Sequence, residues 1–536
     1  MRELLSFFAI AGIIGLAYGV LRIAAWLRAA QPSDSPTVRG RKLLDYGEVL
    51  DSANRDFQES VDPRAYPWGG TPVTAKAALG HFVAVGAPGS GKTILLRTLM
   101  REVLRQLNPT DRCIVFDMKG DFWPFVHEQC SGNHFAAESD AILLHPFCDS
   151  TPAWDIARDA GPLDADSVCA GLLPLTASEK SPHFVMGARQ LMASVIAAFR
   201  ALDSDWTLWD LLVACSSAKN LQLLAKASKL TDITERLAHK GDETGSVVAT
   251  LSTATHHLRI PAALWKRSWL QGNRFALSDW IADRGPRVLV LGYDTSKKAS
   301  LQPIVQAVLS RVISELLGGP EHEHAPKTWV FLDELPFAGR VDNLADFLNG
   351  GRSKGVAAVL GTQSVNMLNI PSLYPGTETP AVLANPTNRA FLRTQDNETA
   401  QWMANQLGKR EAYESGFSSS EGRSQQGGRS AQSGTDSRIQ ERFIIHPDEL
   451  KDIASPSERQ PLTGAFESAH GVWTCSIPPQ HFPGRPQGGL PVKADAEGIS
   501  ESLQWSDEDL TRLHIPRSPK TEPDPAQTQR KPGYMP

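Results

Sequence analysis

The chain has 536 residues, 41% of them hydrophobic and 21% charged, and a formal net charge of −5. That length exceeds one ordinary core and predicts more than one folded module, while the composition excludes a wholly disordered or wholly membrane-embedded protein. With no overall basic field, nucleic-acid binding has to come from a local patch or channel.

In chain order, the first feature is the uncharged run Leu4 to Leu21, about the length that crosses a bilayer as a helix. Arg22 and Arg28 follow it, then Arg39, Arg41 and Lys42. Basic residues flanking a span stay cytoplasmic, so residues 1–30 predict a single membrane anchor with the bulk of the chain inside. Residues 31–68 are polar and turn-rich and read as a linker or a small capping segment before the first strand. The six cysteines are scattered without metal-ligand spacing and read as buried thiols.

Short continuous apolar runs then recur at His81 to Val85, Cys113 to Phe116, Ala141 to Leu144, Val288 to Leu291, Trp329 to Leu332, Val356 to Leu360 and Ala390 to Leu392. Strands buried on both faces look like this. Helical patterns such as Ile94 to Leu107 and Leu301 to Leu317 separate them, which predicts an α/β fold with a mostly parallel sheet. From Asp164 to Trp280 only helical segments follow one another, so residues 161–284 predict an all-α insertion. The nucleotide-binding domain is thereby split into 69–160 and 285–480. Ser415 to Ser437 is rich in Gly, Ser and Gln, which predicts a flexible loop over 413–441. Phe443 to Leu450 and Gly471 to Ser476 are expected to rejoin the sheet, and the Pro-rich segment 481–536 to be a disordered tail.

Gly86-Ala87-Pro88-Gly89-Ser90-Gly91-Lys92-Thr93 fits the full G-x-x-x-x-G-K-[ST] phosphate-binding pattern, with a strand before it and a helix after it. The glycines let backbone N–H groups turn inward around phosphates at a helix N-terminus. Lys92 is expected to bridge the β- and γ-phosphates of ATP, and Thr93 to offer its hydroxyl to Mg²⁺. Trp329 to Leu332 ends in Asp333 and Glu334, a Walker B pattern in which Asp333 holds Mg²⁺ and Glu334 acts as general base on the attacking water.

Gln363, in Gly361-Thr-Gln363-Ser364, either senses the γ-phosphate or caps a helix. Asp117 and Lys119 either flank the nucleotide or form a structural ion pair. Arg97, Arg101 and Arg105 form a cationic stripe at four-residue spacing, open to DNA phosphates, to neighbouring carboxylates or to solvent.

Four segments together resemble the TraD/TraG conjugative coupling proteins of type IV secretion systems: Asp117-x-Lys119-Gly120-Asp121, Asp333-Glu334-Leu-Pro, Gly351-Arg352-Ser-Lys-Gly355 and Gly361-Thr-Gln363-Ser364. Asn385 to Arg393 resembles the TraD branch in particular. The resemblance implies a RecA-like motor domain, an all-α domain, a homohexameric ring and Arg352 as an arginine finger reaching a neighbour's site. It also implies ATP-driven delivery of a relaxase-bound DNA strand to an inner-membrane secretion channel; with no base-reading module in the sequence, the DNA, expected to be single-stranded, is expected to be bound without sequence preference. The chain departs from the family in showing one apolar span where two are common, and in a short tail. Two other readings share the motor: a membrane-docked receptor for secreted proteins, and a chromosome translocase of the FtsK type.

Overall fold

The computed structural model describes residues 37–132, 140–175, 181–238, 242–423, 429–484, 490–491, 493–496, 499 and 503–516. The expected membrane anchor lies outside them; among the described residues no helix is long and apolar enough to cross a membrane. The described chain divides into two compact units, one of residues 44–400 with 450 onward, the other of residues up to 43 with 401–449.

The larger unit is built on a mixed sheet. Its strands are β1 (Phe82–Val85), β2 (Arg112–Asp117), β3 (Ala141–Leu144), β4 (Val288–Gly292), β5 (Thr328–Leu332), β6 (Val356–Thr362), β7 (Asn388–Phe391), β8 (Leu462–Ser468) and β9 (Gly471–Ile477). They run in the order β9-β8-β7-β1-β6-β5-β2-β4-β3. From β7 to β3 every neighbouring pair is parallel, whereas β8 and β9 are antiparallel additions. The parallel strands are buried on both faces, as their unbroken apolar sequences require. All seven apolar runs read from the sequence coincide with these strands, with only His81 and Leu392 one residue outside β1 and β7.

Helix α1 (Lys92–Arg105) follows β1, and α2 (Phe122–Gly132) follows β2. From Ala165 to Leu270 every described element is helical, including α3 (Pro182–Ala201), α4 (Leu208–Cys215) and α5 (Arg259–Leu270). Helix α4 starts on a reciprocal cap between Thr207 and Asp210, which satisfies backbone donors that a helix start otherwise leaves open. Helix α6 (Lys298–Gly318) returns the chain toward β5, and α7 (Leu344–Gly350) precedes β6.

Four expectations need correction. The described part of the expected linker 31–68 contains the helix Tyr46–Glu59 and the strand Ala65–Trp68, which pairs as a hairpin with Thr71–Thr74 just beyond it. Tyr66 and Trp68 are fully buried there, and their rings meet Trp329 and Phe82 at 4.8 and 5.0 Å, so this stretch seals one face of the sheet with aromatic contacts. The expected loop 413–441 is paired instead: Lys409–Arg423 and Arg429–Phe443 form a hairpin in the smaller unit, joined by Thr37–Gly40. Backbone ladders hold it, so its lack of apolar residues misled. Finally, part of the expected tail is ordered. Helix α8 (Asp507–Arg512) carries a capping box between Ser506 and Asp509, and Leu513 and Ile515 beside it are buried. Pro447–Asp452, expected in the sheet, is helical because Pro447 and the acids after it suit a helix first turn.

Candidate nucleotide site

The phosphate-loop residues leave β1 at the end of the sheet where β5 and β6 deliver Asp333 and Gln363. Gly86 donates its N–H to Thr362 at 3.2 Å, and Ser90 closes a turn onto the Ala87 carbonyl at 3.1 Å. Gly89 and Gly91 have φ of 75° and 95°, a left-handed region that glycine enters at little steric cost. A Cβ on Gly86 would crowd Ser90 Oγ and Leu392, so the glycine spacing is a geometric requirement of the loop. Helix α1 begins at Lys92 from Gly91 without a side-chain cap, leaving its first N–H groups and dipole directed at the loop.

Lys92 and Glu334 meet at 2.7 Å, both buried, with Gln363 Nε2 donating to the same Glu334 Oε2 at 3.0 Å. Three polar atoms around this centre are buried without a hydrogen-bond partner: Ser90 Oγ, Asp333 Oδ1 and Glu334 Oε1. Burial pushes the Asp333 carboxyl up from its ordinary range, with Lys92 opposing and Glu334 reinforcing the shift. Such orphaned acceptors in a desolvated pocket are expensive unless a cation or a water joins them. The strands approach closely enough that a Cβ on Gly361 would collide with the Asp333 carbonyl.

The donors fit MgATP. An uncapped helix N-terminus and a lysine suit a polyphosphate, and one carboxylate with a nearby threonine hydroxyl is the sparse protein coordination Mg²⁺ accepts when phosphate supplies the rest. Thr93, half-buried, occupies the second position of α1.

The other singled-out residues divide differently. The Asp117 carboxylate accepts N–H bonds from Asp121, Phe122 and Trp123 at 3.0, 3.0 and 2.8 Å; it caps α2 and forms no ion pair with Lys119 among the described residues. The arginine stripe is engaged internally. Arg97 lies over the Phe122 and Phe125 rings and bonds the Asp121 carbonyl, while Arg101 and Arg105 share Glu102.

Arg352 sits in a short 3-10 turn, Gly351–Lys354, exposed and at the start of β6. The P-loop lies past the other end of that strand, about 20 Å away at roughly 3.3 Å per residue, beyond the reach of one side chain. Sequence reasoning passed over Arg393 as a site residue, although it follows β7 and its carbonyl accepts the Ala87 N–H at 2.8 Å.

Residues 65–466 match a family model described as the type IV secretion-system coupling protein DNA-binding domain. The chain is 24% identical over 425 residues to coupling protein TraD of Escherichia coli (strain K12), covering 76% of this chain and 55% of TraD. It therefore spans about half the length of that curated relative. Among solved structures, the bacterial conjugative coupling protein TrwBdeltaN70 in its trigonal form with sulphate superposes with a TM-score of 0.66 at 19% identity, covering 85% of this chain and 98% of that one. TrwB bound to the non-hydrolysable ATP analogue ADPNP gives 0.65 at 18% identity over 85% and 97% of the two chains. TrwB with ADP and Mg²⁺ gives 0.63 at 18% over the same shares. The α/β fold is thus that of TrwB.

Proposed function

This chain belongs to the type IV secretion-system coupling proteins, and from that premise we propose that it is an ATP-hydrolysing motor that passes DNA to a conjugative secretion channel. The observation that carries the reading is the buried contact of Lys92 with Glu334, joined by Gln363, beside an uncapped, glycine-bounded helix start. In this reading Gly86 to Thr93 hold the triphosphate. Thr93 and Asp333 hold Mg²⁺, which when bound screens phosphate charge. Lys92 leaves Glu334 to compensate the phosphates, and the freed carboxylate orients a water and accepts its proton. Gln363 follows Glu334 through their shared hydrogen bond, and β6 extends from it toward Arg352.

The exposed, glycine-flanked Arg352 supports a finger acting on a neighbouring protomer, and with it a ring, six-fold by the family resemblance. The helices from Ala165 to Leu270 support a separate all-α domain, and the apolar run Leu4 to Leu21 supports an inner-membrane anchor with a cytoplasmic motor. DNA would be bound through its backbone, because no base-reading module is visible in the sequence. Relaxase–DNA complexes and the secretion channel are the partners this role requires. The test is the ATPase rate of the detergent-solubilised full chain with and without single- and double-stranded DNA. Hydrolysis that rises with DNA and falls steeply with salt supports the motor; hydrolysis indifferent to DNA favours a protein-secretion receptor, and none at all removes the reading.

A further inference from the structure

The parallel ladder between β1 and β7 does not stop where the strands do. Phe391 is in register with Val85, Leu392 donates its N–H to the Val85 carbonyl at 2.9 Å, and Ala87 donates its own to the Arg393 carbonyl at 2.8 Å. Arg393 is therefore fixed beside the second residue of the phosphate loop, at the sheet end where ligands bind in open α/β folds. Leu392 packs against Gly86 and into the core. Arg393, the next residue, is only partly exposed, and its Nε is buried without a hydrogen-bond partner. No carboxylate among the described residues forms an ion pair with it. Arg64, Arg311 and Arg389, which are also well covered, each meet a carboxylate: Arg64 with Asp62 and Asp111, Arg311 with Glu315, Arg389 with Glu467.

A guanidinium keeps its charge under all ordinary conditions and offers a rigid fork of donors. Burying its Nε without an acceptor is unfavourable, and the fold fixes the Arg393 backbone beside a loop shaped for anions. We propose that Arg393 is a nucleotide-phosphate ligand supplied in cis, completing the charge compensation that Lys92 begins. Its role contrasts with that of Arg352, which stands too far from its own loop to act there. The inference rests on the ATP-site reading of the preceding subsection.

The test uses the full-length protein in detergent, with titrations of a fluorescent ATP analogue and steady-state ATPase assays. Arg393→Met should weaken nucleotide binding about 10- to 100-fold, the range for losing hydrogen bonds to a charged group. KM should rise while kcat changes little, and the nucleotide-induced rise in Tm should shrink without a drop in the unliganded Tm. Arg393→Lys should recover part of the affinity as a point charge without the fork. If Arg393→Met melts early, Arg393→Gln, which keeps the length and polarity, gives the decisive titration. A Met or Gln variant that binds the analogue within twofold of the parent, while Lys92→Ala loses binding, overturns the role of Arg393. A parent protein that binds no ATP overturns the underlying site instead.

Discussion

The two ends of the parallel sheet are built on opposite principles. At the end bearing the phosphate loop, Lys92 and Glu334 are packed out of water and bonded to each other, with the half-buried Gln363 bonded to Glu334. At the other end Arg352 is exposed between glycines, with no ion pair among the described residues. Groups that must cooperate within one chain can be held together by that chain's own packing. A group that acts on another copy has to be left free on the surface, where a lone arginine adds almost nothing to stability. The contrast is the one that the proposed division, cis chemistry at one end and trans chemistry at the other, requires.

The largest expected effect breaks the comparison at its exposed end. Arg352→Ala should keep the fold and ATP affinity yet lose about 10³- to 10⁵-fold in assembly-dependent turnover, the worth of an arginine finger. Mixing it with Lys92→Ala sharpens the point, because a Lys92 variant still presents an intact finger to its neighbour. Partial recovery in mixed assemblies is expected. Co-assembled mixtures that stay inactive would remove the trans role.

At the buried end, Glu334→Gln should cost about 10²- to 10⁴-fold in turnover, the usual contribution of a positioned base, and should retain ATP. Lys92→Ala should weaken ATP binding as well, since it deletes the ammonium and leaves Glu334 buried without its cation. Equilibrium binding of a labelled nucleotide distinguishes the two; equal loss of affinity in both would contradict the division of labour between them.

Asp117→Ala serves as the structural control for that end. It removes the acceptor of three backbone N–H groups at the start of α2, so it should destabilise the fold by about 1–2 kcal/mol with ATP affinity of the surviving folded protein unchanged. Thermal melts alongside nucleotide titration check this, and a selective loss of ATP binding would return Asp117 to the site.

The strands and the phosphate loop were legible because their signals are local. A run such as Val356 to Leu360 can only be satisfied by burial on both faces, and the glycines of the loop are dictated by backbone geometry at Gly86, Gly89 and Gly91. The roles of Asp117 and the arginine stripe were ambiguous because a carboxylate or guanidinium looks the same whether it binds a ligand, a helix end or a ring. Only the fold shows Asp117 bonded to three amides and Arg97 lying over Phe122 and Phe125. Arg393 was missed as a site residue because its partner loop lies some 300 positions earlier and is brought alongside by strand pairing, as the Ala87–Arg393 bond records. Composition also hid two ordered segments. The hairpin Lys409–Arg423 with Arg429–Phe443 is held by backbone ladders, and α8 is too short to show helical periodicity, although Ser506 and Asp509 carry a capping-box spacing.

That last helix gives the smallest expected effect and the clearest control, because it touches neither end of the sheet. Lys266 bonds Asp509 at 2.7 Å, Arg512 bonds Asp210 at 3.0 Å and Asp509 at 2.8 Å, and the Arg512 guanidinium lies 5.4 Å from the centre of the Trp269 ring. These contacts pin α8 onto α4 and α5. Burial alone would raise the Asp509 carboxyl, but Lys266, the Ser506 amide and Arg512 together hold it down at about 2. A carboxyl depressed in the folded state contributes stability above its unfolded value, near 3.9, and loses that contribution as the pH falls through its folded value. Docking of α8 should therefore hold at neutral pH and weaken between about pH 4 and pH 2. Asp509→Asn should lower Tm by a few degrees at pH 7 and flatten the acid limb of the Tm profile, with KM and kcat for ATP unchanged at neutral pH. If the variant instead altered turnover, α8 would be communicating with the nucleotide site through the helical segment, and the assignment of chemistry to the two sheet ends alone would fail.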